Sequence, residues 1–166
     1  MRRLVLLSQL GARTDSPVRF LRWHAEVEAH VATLPLEVTV LRPNLFTQAV
    51  LGALHDGVLG APIGDARVSV VDVRDIAAVA AVVLTEEGHA GATYTLTGPA
   101  AVTHAEMAAA AGARFVDLGE DAFRDALGGV LPPWQLDGLV EDYAHYRRGE
   151  AEAVDPAVRT LLGQAP

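Results

Sequence analysis

Five short segments of this chain, at 4–8, 37–42, 68–71, 93–97 and 114–117, are dense in Val, Leu, Thr or Tyr and read as β-strands. Helical spacing fills the intervals. Ser16 before Pro17 is an N-cap followed by proline at the first helical position, and Phe20, Trp23, Val27, Val31 and Leu34 then form a stripe at three- and four-residue spacing. Asn44 caps a helix over Leu45–Leu54, and Asp75 opens one over Ile76–Leu84 that Gly88 closes. Thr103-His104-Ala105-Glu106 is a capping box. Further helices are predicted over Asp121–Leu127 and Trp134–Tyr146, with Pro132-Pro133 between them, and Gly57–Gly64 reads as a loop. Strands alternating with helices predict an α/β domain with a mainly parallel sheet and flanking helices. The first two strands are nearly continuous apolar runs, as in strands covered on both faces.

Composition narrows the chemistry. With 51% apolar residues over 166 positions, the chain can bury a core as one domain. The net charge of −8 argues against a nucleic-acid partner. All 13 basic residues are arginine, so Schiff-base chemistry and a phosphate-loop lysine are excluded. There is no cysteine, and the six histidines lack metal-ligand spacing, so no metal site is expected. Met1-Arg2-Arg3 before Leu4–Leu7 reads as the entry to a strand rather than a leader, and no run reaches membrane-spanning length. A cytoplasmic protein with a loose tail at 163–166 is expected.

Several polar residues fall where chemistry is possible. His24 and Glu28 share one helix face, and a carboxylate beside an imidazole raises its pKa and suits it to proton transfer; an ordinary surface pair has the same spacing. Ser8 ends the first strand, where open α/β sheets face their ligand crevice, though strand-end turns also favour serine. Arg42-Pro43-Asn44 ends the second strand at the same crevice. Arg42 can bind a carboxylate or phenolate there, or the triplet can simply stop the strand and cap a helix. Phe46 and Gln48 are candidate pocket walls, and His55 beside Asp56 is a candidate lid residue or a solvated helix end. Asp72, Arg74 and Asp75 read as structural, and Trp134, Tyr143 and Tyr146 as a packing face.

The order and spacing of several stretches resemble a known family. These are Leu4–Leu7 running into Ser8-Gln9-Leu10-Gly11, then Trp23-His24-Ala25-Glu26-Val27-Glu28 and Leu41-Arg42-Pro43-Asn44. Val70-Val71-Asp72-Val73-Arg74-Asp75-Ile76-Ala77 and Tyr94-Thr95-Leu96-Thr97-Gly98-Pro99 follow. Together they resemble the C-terminal part of the NmrA-like branch of the atypical short-chain dehydrogenase/reductase family, specifically as far as Ala113 and loosely beyond. The resemblance implies a truncated Rossmann-like domain, with residues 1–112 as sheet and substrate crevice and 113–166 as a mainly helical substrate-side extension. It implies relatives that bind NAD(P)H and reduce quinones or azo compounds, or that sense the nucleotide. It also places His24 near the family's catalytic helix, Ser8 at the family's serine, and Arg42–Asn44 along its nicotinamide pocket.

The glycine-rich turn that cradles a pyrophosphate is not found; Gly57–Gly64 contains Pro62 and does not open a helix. No cofactor is therefore expected on the chain itself, with NAD(P)H entering only if an N-terminal half is supplied in trans. The strand at 4–8 is expected to be covered by a second copy or a partner chain, because an apolar edge pairs readily. Three readings of function remain open. The foremost is cofactor-independent proton transfer on a carbonyl-containing natural-product intermediate: isomerisation, dehydration or cyclisation, with His24, Glu28 and Ser8 as chemistry. The others are a fragment of an NAD(P)H-dependent quinone or azo oxidoreductase and a non-catalytic regulatory module.

Overall fold

The computed structural model describes residues 2–163, so Gln164, Ala165 and Pro166 of the predicted tail lie outside the described residues. The main sheet is parallel, in the order β1-β2-β6, with β1 at Arg3–Leu7, β2 at Glu37–Pro43 and β6 at Thr93–Leu96. The register sets Leu7 opposite Leu41, and Leu41 opposite Tyr94. β2 is central, and its Thr39 and Leu41 are buried. Side chains alternate across a strand, so Leu41 faces one layer and Arg42 the other. On the Leu41 side lie Ile76, Val79 and Val83 of helix α3 (Val73–Thr85) and Val158 of α7 (Ala157–Leu162). Burying a side chain such as Val79 contributes roughly 1.5–3 kcal/mol. On the other side Arg42 meets Glu28 of α1 (Arg19–Val31).

Helix α1 buries only part of the stripe predicted for it. Leu21, Ala25 and Val31 are buried, whereas Trp23, Val27 and Leu34 are exposed. The helix borders the sheet through small residues: Ala25, Ala29 and Ala32 face Val38 and Val40 across a groove of about 720 Å³. Its aromatic residues turn toward α6 (Pro133–Arg147), where the Phe20, Trp23 and Trp134 ring centroids lie 5.7 to 6.4 Å apart. Gly138 of α6 admits the Phe20 ring, because a Cβ there would sit 2.2 Å from it.

The middle of the chain departs furthest from expectation. The helix predicted over Leu45–Leu54 is only α2, Thr47–Gly52, and Asn44 does not cap it. The chain then turns through a hairpin of β3 (Leu54–His55) and β4 (Val58–Ala61), so the predicted loop at 57–64 contains a strand. Asp56 and Gly57 take φ of 48° and 71° at its turn, as an Asp-Gly hairpin requires. β4 pairs in parallel with β8 (Arg114–Asp117), which places β8 in a second sheet. The strand predicted at 68–71 shortens to β5, Arg67–Val68, antiparallel to β7, Val102–Thr103. Beyond it, the Ser69 N–H donates to the Ala151 carbonyl instead of a ladder partner (3.0 Å).

Helix ends follow capping chemistry, with shifted assignments. Asp72, rather than Asp75, caps α3 by accepting from the Arg74 N–H at 2.7 Å. Ser16 accepts from the Val18 N–H at 3.1 Å, so Pro17 lies before the helix. The capping box at Thr103 forms as predicted and opens α4, His104–Ala110. α5 (Glu120–Leu127) and α6 match their predicted positions closely, whereas α7 was not foreseen. Among the described residues no helix is long and apolar enough to cross a membrane. Among them, too, no strand pairs with the outer side of β1.

Candidate active site

Parallel strands bring their C-terminal ends to one edge of the sheet, where open α/β folds place ligands. Two backbone bonds prolong the β1–β2 pairing past that edge: the Ser8 N–H to the Leu41 carbonyl at 2.7 Å and the Leu10 N–H to the Pro43 carbonyl at 2.9 Å. A cleft of about 300 Å³ opens there. Ser8 and Gln9 form one wall, Asn44 and Phe46 a second, and His24 a third; Asp142 and Tyr146 of α6 complete it.

The eight residues singled out from the sequence divide between this cleft and other duties. Ser8, His24, Asn44 and Phe46 line it; Glu28, Arg42, Gln48 and His55 do not. Asn44 is buried and fully engaged. Its amide nitrogen donates to Ser69 Oγ and the Ala151 carbonyl, both at 2.8 Å, while Oδ1 accepts from the Leu45 N–H at 2.8 Å. It therefore ties the β2 end to the segment after α6 and offers no free donor. Gln48 Oε1 accepts from the Val73 N–H at 3.1 Å, at the start of α3. His55 stands exposed on the β3–β4 hairpin beside Asp56.

Glu28 is the hub behind the cleft. Arg42 donates to it through Nε at 2.9 Å and Nη2 at 2.5 Å, and the Ser8 hydroxyl donates to Oε1. Burial alone would raise this carboxyl. The bonds from Arg42 and Ser8, with the charges of Arg42 and His24, outweigh it and hold Glu28 below its ordinary value. Arg42 is thus turned onto α1 rather than into the cleft.

His24 was expected to have its pKa raised by Glu28; it is lowered. Desolvation of the half-buried ring outweighs the carboxylate, whose hydrogen bonds already go to Arg42 and Ser8. Burial therefore favours the neutral ring.

Asp142 was missed. It is 7% exposed and lines the cleft, and Gln9 Nε2 donates to its Oδ1 at 3.2 Å. Burial, reinforced by the charge of Glu141 and opposed by Gln9, pushes this carboxyl up to about 7. The signal was available: Asp142 lies four residues before Tyr146, one of the aromatic residues of the helix. Among the described residues no cluster of three or more His, Cys, Asp or Glu is placed to hold a metal ion.

No family model matches the sequence. Curated relatives do. Over 175 aligned residues, covering 99% of the chain, it is 35% identical to a (4-alkanoyl-5-oxo-2,5-dihydrofuran-3-yl)methyl phosphate reductase of Streptomyces griseus. Over 155 residues, covering 87% of the chain, it is 35% identical to an NAD(P)H azoreductase of Xenophilus azovorans. The chain spans only 62% and 54% of these two proteins. Among solved structures, the NADPH-dependent quinone oxidoreductase of Escherichia coli in complex with NADPH superposes with a TM-score of 0.84 at 26% identity. That match covers 99% of this chain and 62% of the other.

These comparisons overturn the expectation of no cofactor. A relative named for NAD(P)H and a neighbour solved with NADPH are both similar to this chain. The expectation took an absent phosphate cradle for an absent cofactor. Among the described residues the cradle is indeed missing: the glycines at 57, 60 and 64 belong to the β3–β4 hairpin and its exit, with no helix opening from them. The cleft itself lies at the C-terminal ends of β1 and β2. By sequence and by fold, the chain resembles the NmrA-like branch of the atypical short-chain dehydrogenase/reductases, and it matches 62% of the length of its Streptomyces relative.

Proposed function

We propose that the chain is the acceptor-binding portion of an NAD(P)H-dependent reductase acting on a quinone, an azo compound or a conjugated carbonyl compound. The carrying observation is the cleft at the C-terminal ends of β1 and β2, in a chain 35% identical to two reductases. The bound dinucleotide supplies the hydride. The residues here hold the acceptor: Phe46 and Tyr146 provide aromatic walls, and Ser8, Gln9, His24 and Asp142 provide polar groups along one side. His24, neutral and half-buried, donates or accepts a hydrogen bond without carrying charge into the cleft. Further polypeptide lies along the outer side of β1 and brings the phosphate cradle with it. The exposed apolar residue Leu7 of β1 is consistent with such a neighbour.

Backbone and side-chain chemical shifts during titration with menadione, a neutral two-ring quinone, test this reading. Shifts concentrated at Ser8, His24, Phe46 and Tyr146 are expected. Binding elsewhere, or none at millimolar quinone, contradicts it.

A further inference from the structure

Asp142 has a place in this cleft that packing alone does not explain. It sits on α6 among buried neighbours, with Val140 before it and Tyr146 one turn on. A buried carboxylate is ordinarily paired with a cation. Here the chain has no lysine, and none of its arginines pairs with Asp142. Gln9 is its single hydrogen-bond partner among the described residues, and that bond is taken by Oδ1. Oδ2 has no partner there, on a side chain that borders the cleft.

We propose that Asp142 is the proton-bearing hydrogen-bond donor of the cleft, and that it selects ligands presenting a neutral acceptor oxygen, a carbonyl or quinone, over anionic ones. This rests on reading the cleft as the acceptor site. A protonated carboxyl has one hydroxyl to give. Gln9 is itself a donor to Oδ1, so the hydroxyl at Oδ2 is left for whatever enters the cleft. An anionic ligand would have to displace water without meeting a positive charge, and it would face a second negative charge once Asp142 ionised.

The groups around Asp142 bring it no free cation. On α1, burial keeps His24 neutral. On its own helix, Glu141 is bound by Arg19, His145 by Glu150, and burial raises the Tyr143 and Tyr146 hydroxyls above their ordinary value. On the loop after β1, Arg13 pairs with Asp15. On the other elements packed against α6, Arg67 of β5 is committed to Glu106, and Arg124 of α5 to Asp137 and Glu120. Desolvation thus acts on Asp142 with only Gln9 opposing it.

Two measurements decide the matter. The first follows the Asp142 side-chain carbon by nuclear magnetic resonance in the ligand-free protein, assigned by its loss in Asp142→Asn. A midpoint well above pH 5 is expected, and a midpoint near the ordinary 3.8 would overturn the proposal while leaving the cleft reading intact. The second measures menadione affinity at pH 6.5 and pH 8.5. Wild-type affinity should fall about tenfold or more as the donor is lost. Asp142→Asn keeps a donor that does not titrate and should bind equally at both pH values, whereas Asp142→Ala should bind weakly at both. Wild-type binding that is unchanged between the two pH values overturns the role of Asp142. Absence of menadione binding to the folded protein at either pH removes the acceptor-site reading itself, and this inference with it.

Discussion

Arg42 of β2 clamps Glu28 of α1 with two parallel bonds, Nε to Oε1 at 2.9 Å and Nη2 to Oε2 at 2.5 Å. The pair joins the central strand to the helix that carries His24, so it fixes one wall of the cleft. Bidentate pairing of this kind gives direction as well as attraction.

Replacing Glu28 with Gln removes the charge and leaves Arg42 poorly matched. The expected cost is about 2 kcal/mol of stability at neutral pH. The Glu28 pKa is lowered in the folded state, so its contribution is present above the unfolded value of 4.5 and lost as pH falls through the folded one. Denaturant unfolding at several pH values should therefore show wild type and Glu28→Gln converging in acid. Equal stability at pH 7 would show the clamp to be energetically idle.

Asp142 gives a slope of the opposite sign. Its carboxyl is near 7 when folded and 3.8 in its ordinary state, so the folded protein holds the extra proton between those values. Stability then falls as pH rises from about 4 to 7 and levels off above. Asp142→Asn abolishes this slope. At pH 8 it should be more stable than wild type by about 2–4 kcal/mol, with little difference at pH 4. A variant less stable than wild type at pH 8 would mean that the carboxylate is solvated or paired in the folded state.

Gly98 follows the end of β6 and is buried against the Val70 backbone. A Cβ there would lie 2.2 Å from the Val70 carbonyl oxygen, which accepts the Gly98 N–H at 2.9 Å. Neither backbone can yield as a flexible side chain would. Gly98→Ala should cost about 3 kcal/mol or more, read by thermal or denaturant unfolding. A cost under about 1 kcal/mol would show that the two segments can separate freely.

His24 remains the polar group of α1 that reaches the cleft. In a functional reductase, His24→Ala should lower kcat/KM for quinone reduction by about tenfold or more. Its melting temperature should stay within a few degrees, because the ring is only half-buried. Wild-type turnover in the folded variant would move the polar chemistry wholly to Asp142 and Ser8.

The α/β layering was readable because β1 and β2 are apolar runs separated by a helix-period segment. The capping box at Thr103 was readable because it is wholly local. Residues 54–61 were misread because Asp56-Gly57 ends a short helix as plausibly as it turns a hairpin; the choice is made by β8, more than fifty positions away. The stripe on α1 failed for a related reason. Periodicity finds an apolar face, but Phe20 and Trp23 point to Trp134 rather than to the sheet.

At the site, strand ends identified Ser8 and Asn44 by position alone. Their hydrogen-bonding commitments were invisible, since Glu28 and Ala151 approach from other elements. Asp142 was hidden in a helix read only for packing. The cofactor was misjudged because a missing local motif was treated as a property of the whole catalytic unit.

The most direct test joins this chain, in one polypeptide, to the part of the Streptomyces griseus relative that it does not match, and follows NADPH oxidation with menadione as acceptor. Quinone reduction at least about a hundredfold faster than by either part alone is the predicted result. A folded joined protein that binds NADPH yet reduces neither quinones nor azo dyes would contradict the assignment of this chain as the acceptor-binding portion of a reductase.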